Sequence, residues 1–410
     1  MKIIFLILLL IAIDVYFYLG TVSSVKSIFR SSFFELIYWF IAVSSYVYII
    51  YLTGFVDDPK SLSNGKNIFY QSLFFVFFLS KLTGCFPLII DDIIRLFRFL
   101  SGIVVDSKDH DIKRLEFLKK SAILVSGTLL ASLLIGMKWG RYNFKKNYQD
   151  IIIKDWPSNL NNYKIIHISD LHLGSFNDVE KFNEVVNMIN DEDPDLVVFT
   201  GDLVNNFYEE AIPYADCLKR IKAKDGKFSV LGNHDYGDYA IRNRNSQEWK
   251  NNFNNLLNLE KEVGFHLLLN DSRLISKKQA KFNIVGVENW GAGRFNKDGD
   301  LNDAMNGVDD SLPTILLSHD PSHWNEVVLK SDFMIDLQLS GHTHGMQFGI
   351  EIPGFKWSPV KFRYEQWAGL YNKNKRQIYV NRGLGHLGYA GRVGIMPDIS
   401  ILNIISKAKS

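Results

Sequence analysis

The sequence predicts an α/β domain preceded by a transmembrane helical region, and three observations support that expectation. The first 140 of its 410 residues are dominated by Ile, Leu, Phe and Tyr, and the composition turns to that of a water-soluble domain near Trp139-Gly140. From Tyr163 onward, strand-like and helix-like stretches alternate. Five of the strand-like stretches then run into His, Asp or Asn. At about 150 residues per domain the chain has room for two or three units. We expect a transmembrane region over residues 1–140 with about four helices, a linker over 141–160 and a folded domain over 161–410.

Crossing a hydrocarbon core of roughly 30 Å takes about 20 residues of helix. Apolar stretches of that kind cover residues 3–20, 33–54, 68–90 and 120–138. The first lacks a strongly basic leader and a small-residue cleavage site, and further spans follow it, so it reads as a retained anchor of a multi-pass protein of the cell membrane. Asp14, Glu35 and Lys81 fall inside these spans or near their ends, where charge is costly and often functional. As an unpaired trio in three helices they fit inter-helix packing better than a transport path. The loop between the third and fourth stretches holds Arg95, Arg98 and the basic run from Lys113-Arg114 to Lys119-Lys120. The positive-inside rule puts that loop in the cytoplasm and the C-terminal domain on the exported face. Lys138, Arg141, Lys145 and Lys146 follow the last span and argue for the cytoplasmic face. Lys113 to Lys119 resembles a twin-arginine export signal, with Leu115 where the second arginine would stand, and inclines the reading to the exported face.

In the second half, Tyr163 to Ser169 reads as a buried strand, Val179 to Ile189 has apolar residues at helical spacing, and Leu196 to Thr200 is a second buried strand. That is a βαβ opening, and such sheets place ligands at the carboxyl ends of their strands. The first strand ends in Asp170-Leu171-His172 and the second in Gly201-Asp202. A third, Phe228 to Leu231, ends in Gly232-Asn233-His234-Asp235, and Pro313 to Leu317 ends in Ser318-His319-Asp320-Pro321. The apolar run Phe333 to Leu337 leads to Gly341-His342-Thr343-His344-Gly345. Two histidines at i and i+2 between glycines belong on a turn, where both imidazoles can reach one place and suit a divalent transition metal. Singly, each of these elements also fits a helix cap or an ordinary turn. Five in succession point to a shared site.

The bulk properties exclude other chemistries. A net charge of +2 gives no basic field, and no basic stripe with interleaved aromatics follows, so nucleic acid is not an expected partner. The two cysteines, Cys85 and Cys217, support neither a disulfide framework nor a cysteine-built zinc site. Any metal would draw on His, Asp, Asn or Glu.

Asp170-x-His172, Gly201-Asp202, Gly232-Asn233-His234-Asp235, His319 and Gly341-His342-x-His344 resemble the ordered motif set of the calcineurin-like metallophosphoesterases, across roughly residues 160–405. Gly345-Met346-Gln347, Asn381-Arg382-Gly383-Leu384-Gly385 and the run Arg392 to Ile401 are similar to the membrane-associated branch that includes bacterial phosphodiesterases and UDP-diacylglucosamine pyrophosphatases. The resemblance implies a four-layer α/β/β/α sandwich, two mixed sheets flanked by helices, with two divalent metal ions at the strand ends. Mn, Fe, Zn or Mg would suit such ligands. It implies one ion held by Asp170, His172, Asp202 and His344, and the other by Asp202, Asn233, His319 and His342, with Asp202 bridging. Two cations about 3.5–4 Å apart clamp a phosphoryl group and lower the pKa of a bridging water. His234 would protonate the leaving oxygen or stabilise the phosphorane, and Asp235 would orient its ring. His167, inside the first strand, reads as a core histidine, and His266, His323 and His386 have no place in the motifs.

Arg363, Arg382 and Arg392 are candidates for a second phosphate contact through forked hydrogen bonds. The aromatic segment 348–371 reads as core between two strands or as an apolar wall for an acyl chain. Residues 290–308 read as a polar loop near the site, in which Asp298-Gly299-Asp300 lacks the spacing and terminal Glu of a calcium loop. The expected function is hydrolysis of a phosphodiester or pyrophosphate by metal-activated water at a membrane-anchored dinuclear centre, with a lipid-linked phosphoester as a candidate substrate and the bilayer as a partner. The alternatives are a nuclease, a transporter, and a membrane sensor or scaffold with a binding-only phosphoesterase-like domain. A complete ligand set argues against a domain that only binds.

Overall fold

The computed structural model describes residues 2–29, 33–55, 60, 65–101 and 108–406. It divides into two units, Met1–Leu62 with Phe69–Gly136, and Ser63–Ile68 with Met137–Ser410. Four helices, α1 (Lys2–Phe29), α2 (Phe33–Gly54), α3 (Gly65–Ser101) and α4 (Lys108–Lys138), are each long and apolar enough to cross a membrane. α3 and α4 outrun the apolar stretches that announce them. Arg95 and Arg98 lie on α3 and the run Arg114 to Lys120 lies on α4, so most of the expected basic loop is helix; residues 102–107 fall outside the described residues. The supposedly unpaired charges have partners. Asp14 binds Lys81 and the Tyr46 hydroxyl, and Glu35 accepts from Lys26 at 2.7 Å and from Tyr18 Oη at 2.5 Å. Pairing of this kind is what keeps ionised groups tolerable among apolar helices.

The second unit is built on two six-stranded mixed sheets. In the first, β1 (Lys145–Ile153), β14 (Asp398–Ser406), β2 (Tyr163–Ile168), β3 (Leu196–Phe199), β4 (Lys227–Ser229) and β5 (His266–Leu267) lie in that order. β14 runs antiparallel to β2, and the other pairings are parallel. The second sheet has the order β12 (Gly369–Lys373), β13 (Arg376–Val380), β9 (Leu337–Ser340), β8 (Thr314–Leu317), β7 (Ala280–Gly286) and β6 (Asp271–Lys277). Its edge pairs are antiparallel and its centre is parallel.

Strand alternation sends Ile165, Leu196 and Val198 of one sheet and Ile284, Ile315, Leu317 and Leu339 of the other into one buried layer between them. The opposite faces are covered as well. Ile166, Ile168, Val197 and Phe199 meet α5 (Val179–Asn190), whose Phe182, Val185, Val186 and Ile189 recur at helical spacing. Val285, Leu316 and Val380 pack under Trp324 and Val328. Two sheets each sheltered on both faces form a four-layer α/β/β/α sandwich, which explains why the central strands read as unbroken apolar runs. α5 starts where Asp178 Oδ1 accepts from the amides of Glu180 and Lys181, at 2.9 and 3.3 Å.

Two expectations change. Residues 141–160 are not simply a linker, because Lys145–Ile153 is β1, paired in parallel with β14 from Lys145 opposite Asp398 onward. The strand before the histidine pair is Leu337–Ser340 and not the apolar run Phe333 to Leu337, because pairing to both β8 and β13 starts only at Leu337.

Candidate metal centre

The residues singled out at the strand ends meet at the carboxyl ends of β2, β3, β8 and β9, as the parallel cores of the two sheets require. Asp170, His172 and His344 form one group of mutually close ligand atoms, and Asp202, His319 and His342 a second. His344 Nε2 stands 3.2 Å from Asp170 Oδ1 and 3.0 Å from His172 Nε2. In the second group His319 Nε2 is 3.2 Å from Asp202 Oδ2 and 3.3 Å from His342 Nδ1. Asp202 Oδ2 also lies 3.5 Å from His172 Nε2, so a single carboxylate oxygen faces both groups.

The backbone is bent hard to achieve this. Asp170, His172, Asp202, His342 and His344 all have left-handed φ, between 44° and 69°. Such φ values are uncommon for non-glycine residues and costly when they cluster, and they persist where the surroundings hold them. The turns are locked by hydrogen bonds: His342 N donates to both oxygens of Asp170, at 2.9 and 3.0 Å, and His234 N donates to Asp202 Oδ1 at 2.8 Å. Gly341 is needed here for space, since a Cβ at that position would collide with Asp170 Oδ2 and Ser169 Oγ.

The outer ring atoms show what the inner ones can do. His319 Nδ1 faces the Thr200 carbonyl at 2.6 Å and must carry the hydrogen, so in the neutral ring Nε2 is the lone pair and in the protonated ring Nε2 donates to the Asp202 carboxylate. His172 Nδ1 likewise faces Asn205 Oδ1 at 3.1 Å. His342 Nε2 meets Tyr364 Oη at 2.8 Å and Asp320 Oδ2 at 3.4 Å. With neutral rings, imidazole lone pairs and buried carboxylates converge, and they repel one another unless positive charge, a proton or a cation, sits among them. Burial alone would lower the His319 pKa, but the Asp202 carboxylate outweighs it and draws it up to about 10. Burial alone would raise the Asp202 carboxyl, yet the surrounding histidines, His319 foremost, hold it well below the usual range. Asn233 Oδ1 is buried with no hydrogen-bond partner among the described residues, while its Nδ2 donates to Tyr239 Oη at 2.9 Å. Convergent imidazoles and carboxylates with an orphaned amide oxygen fit divalent cations, the rings of His172, His319 and His342 each fixed by a second contact.

The remaining expected site residues divide. His234 is only half-buried, its ring tilted 4.6 Å from that of Tyr239 and edge-on 5.0 Å from that of His172, with Nδ1 held 2.8 Å from the Asn205 carbonyl. Asp235 does not orient that ring. Its carboxylate is buried and accepts from the amides of Gly232, Asp202 and Leu203 at 2.7–2.8 Å, so it fixes the loops that carry Asp202 and Asn233. Burial first, and then the nearby Asp202 charge, push its pKa up to about 7.

Arg382 and Arg392 are not free to hold substrate. Arg382 is buried between Asp398 Oδ2, at 2.9 Å, and Glu351, at 3.0 Å. Arg392 is buried and donates to the carbonyls of Arg382, Gly383 and Gly385. Arg363 is exposed and lies over the rings of Phe295 and Tyr364, both of which touch His342. His167 is a core histidine, 2.9 Å from Thr200 Oγ1. In the 290–308 segment Asp298 pairs with Arg244 and Asp300 caps the short helix Leu301–Ala304, which accounts for both acids.

Sequence reasoning passed over Asn205, which contacts two site histidines, and reads Asp320 only within the Ser318-to-Pro321 motif and Tyr364 only within the aromatic segment 348–371. Asp320 stood beside His319 in the motif and was read as a helix start, a role its Oδ1 does fill by accepting from Ser322 N at 2.8 Å. Nothing local marks Asn205.

Known proteins share this arrangement of chain. Residues 163–346 match the family described as "Calcineurin-like phosphoesterase", and residues 1–141 match "Probable Calcineurin-like phosphoesterase, transmembrane domain". The metallophosphoesterase YkuE of Bacillus subtilis is 31% identical over 254 residues, 61% of this chain and 82% of the relative. The phosphodiesterase YaeI of Escherichia coli is 28% identical over 251 residues, 59% of this chain and 82% of the relative. The UDP-2,3-diacylglucosamine pyrophosphatase LpxG of Chlamydia trachomatis is 28% identical over 307 residues, covering 63% of this chain and 90% of the relative. The chain belongs to the calcineurin-like phosphoesterases: it is a metallophosphoesterase, a phosphoric ester hydrolase, with an N-terminal transmembrane domain.

Proposed function

We propose that this protein hydrolyses a phosphodiester or pyrophosphate bond at a dinuclear centre, in a substrate carried by a lipid. The observation that supports a dinuclear centre is the position of Asp202 Oδ2, within 3.5 Å of a histidine of each ligand group. A carboxylate between two dications offsets repulsion that a neutral side chain would leave. In this reading Asp170, His172 and His344 with Asp202 hold one ion, and Asp202, Asn233, His319 and His342 the other. The pair of ions, when bound, supplies Lewis acidity and a water acidic enough to attack phosphorus near neutral pH.

The protein groups do the rest. His234, fixed through Nδ1 by the Asn205 carbonyl, keeps its other nitrogen for donating a proton to the leaving oxygen. Arg363 offers a forked contact to a phosphoryl oxygen. A lipid-linked substrate is supported by the membrane helices and by relatives that include a UDP-2,3-diacylglucosamine pyrophosphatase. We place the catalytic domain on the exported face, on the strength of the basic residues between the third and fourth apolar stretches.

The test is direct. The full chain, purified in detergent and loaded with Mn²⁺, should cleave bis-p-nitrophenyl phosphate, and Asp202→Ala should abolish cleavage together with metal binding. Metal-replete protein that is inert on every phosphodiester and pyrophosphate tried would sink the proposal. Reporter fusions after residue 150 test the sidedness, with export-dependent reporter activity expected.

A further inference from the structure

The chain leaves the histidine pair into a small two-stranded ribbon, β10 (Ile350–Ile352) and β11 (Phe355–Trp357), closed by Pro353-Gly354 with Gly354 at φ +79°. The register sets Ile350 opposite Trp357, Glu351 opposite Lys356 and Ile352 opposite Phe355. Because strand side chains alternate, one face of the ribbon is wholly apolar and the other holds the two charges. The charged face is the one tied down. Glu351 binds the buried Arg382, and Lys356 donates to the Ala368 carbonyl with its ammonium over the rings of Tyr371 and Trp367. Both faces of the ribbon reach solvent, and on the apolar one Ile350 is 50%, Ile352 58% and Phe355 53% exposed. Nothing described lies within 4 Å of where a Cβ on Gly354 would be, so the turn projects freely.

The exposed apolar side chains extend beyond the ribbon. Met346, directly after the histidine pair, is 57% exposed, and Phe362 is 81% exposed between the exposed basic side chains Lys361 and Arg363. Exposed apolar side chains concentrated in one stretch of chain, residues 346–362, mark an interaction site. Basic residues beside a projecting aromatic suit anionic headgroups above an acyl layer. The occupant is further indicated by the chain itself, whose four membrane-length helices keep this domain near a bilayer.

We propose that the ribbon 350–357 and Phe362 dip into the acyl region of a phospholipid bilayer, a membrane contact separate from the spanning helices. The inference builds on the proposed lipid-linked substrate. The loop that would enter the bilayer begins at His344 and ends at Tyr364, whose hydroxyl touches His342, so a phosphoester at the membrane surface would meet the site at the foot of the ribbon.

The test uses the full chain reconstituted in anionic phospholipid vesicles. Single substitutions Phe355→Cys, Phe362→Cys and, as a control on an exposed residue of β6, Leu274→Cys are labelled with an environment-sensitive fluorophore; the native Cys85 and Cys217 are buried. Labels at 355 and 362 should shift to the blue and be quenched by nitroxide on the lipid acyl chains, with the label at 274 unchanged. Labels at 355 and 362 that respond no more than at 274 overturn the proposal. So do labels shielded from water yet unquenched by lipid, since that outcome assigns the surface to a second copy or another protein. The readout needs no turnover, so it stands apart from failure of the hydrolase reading. With turnover, Ile352→Glu/Phe355→Glu should lose cleavage of a vesicle-embedded phosphoester while keeping that of bis-p-nitrophenyl phosphate.

Discussion

Replacing His234 by alanine separates proton donation from metal binding. Its ring belongs to neither group of close ligand atoms, and its Nδ1 is engaged by the Asn205 carbonyl at 2.8 Å, so the substitution removes one half-buried imidazole and leaves the ligand groups in place. Positioned general acids contribute roughly 10²–10⁴-fold in rate. That range corresponds to about 3–5 kcal/mol of barrier. The loss should appear in full on a diester with an alkyl leaving group, whose alkoxide must be protonated as it departs. It should shrink to roughly tenfold or less on bis-p-nitrophenyl phosphate, whose phenolate leaves without help. The assay is kcat/KM for both substrates on wild type and His234→Ala, with metal content measured on the same samples. Equal losses on the two substrates would refute proton donation and point to charge stabilisation of the phosphorane. Loss of metal would place His234 among the ligands.

The remaining predictions are shorter. His342→Ala and His344→Ala should each empty a different one of the two metal positions, seen by metal analysis and spectroscopy with Co²⁺; both emptying the same position would overturn the ligand assignment. Arg363→Ala should raise KM and leave stability unchanged. Arg382→Ala should instead destabilise the fold by about 3–5 kcal/mol, because it strands the buried Asp398 carboxylate, and denaturant titration would register the difference. Burial lowers the pKa of His167 and of His323 to about 4 from an unfolded value near 6.5. The unfolded chain therefore binds the extra protons first, so their stabilisation is complete above pH about 6.5 and is lost as pH falls toward 4. Each is worth on the order of 3 kcal/mol, and His323→Leu in the metal-free protein should flatten the slope of melting temperature against pH in that window.

Much of the site could be read along the chain because the fold puts each candidate ligand directly after a buried parallel strand. An apolar run followed by Asp-x-His, Gly-Asp or Gly-x-x-His is a local pattern, and the order of those patterns survives folding unchanged. The four membrane-length stretches were legible for the same reason, since apolar length needs no knowledge of neighbours. Asp235 shows where this ends. Its identity suggested a partner for the adjacent His234, but its carboxylate turns to the amides of Asp202 and Leu203, brought beside it by the pairing of β3 with β4.

What the sequence determined by itself was therefore the chemistry and its order: which side chains end which strands, and which segments are apolar enough for a bilayer. Only the tertiary structure decided where the other charges go. Arg382 and Arg392 look alike along the chain as phosphate contacts, yet one is consumed by Asp398 and Glu351 and the other by the carbonyls of Arg382, Gly383 and Gly385. β1 was invisible because its partner, β14, lies at the far end of the chain. The open face of the ribbon at 350–357 was likewise undecided, since alternation divides a strand into two faces but does not say which of them the body will hold. Arg382 and Ala368 offer partners to the charged face, and the apolar one stays in solvent.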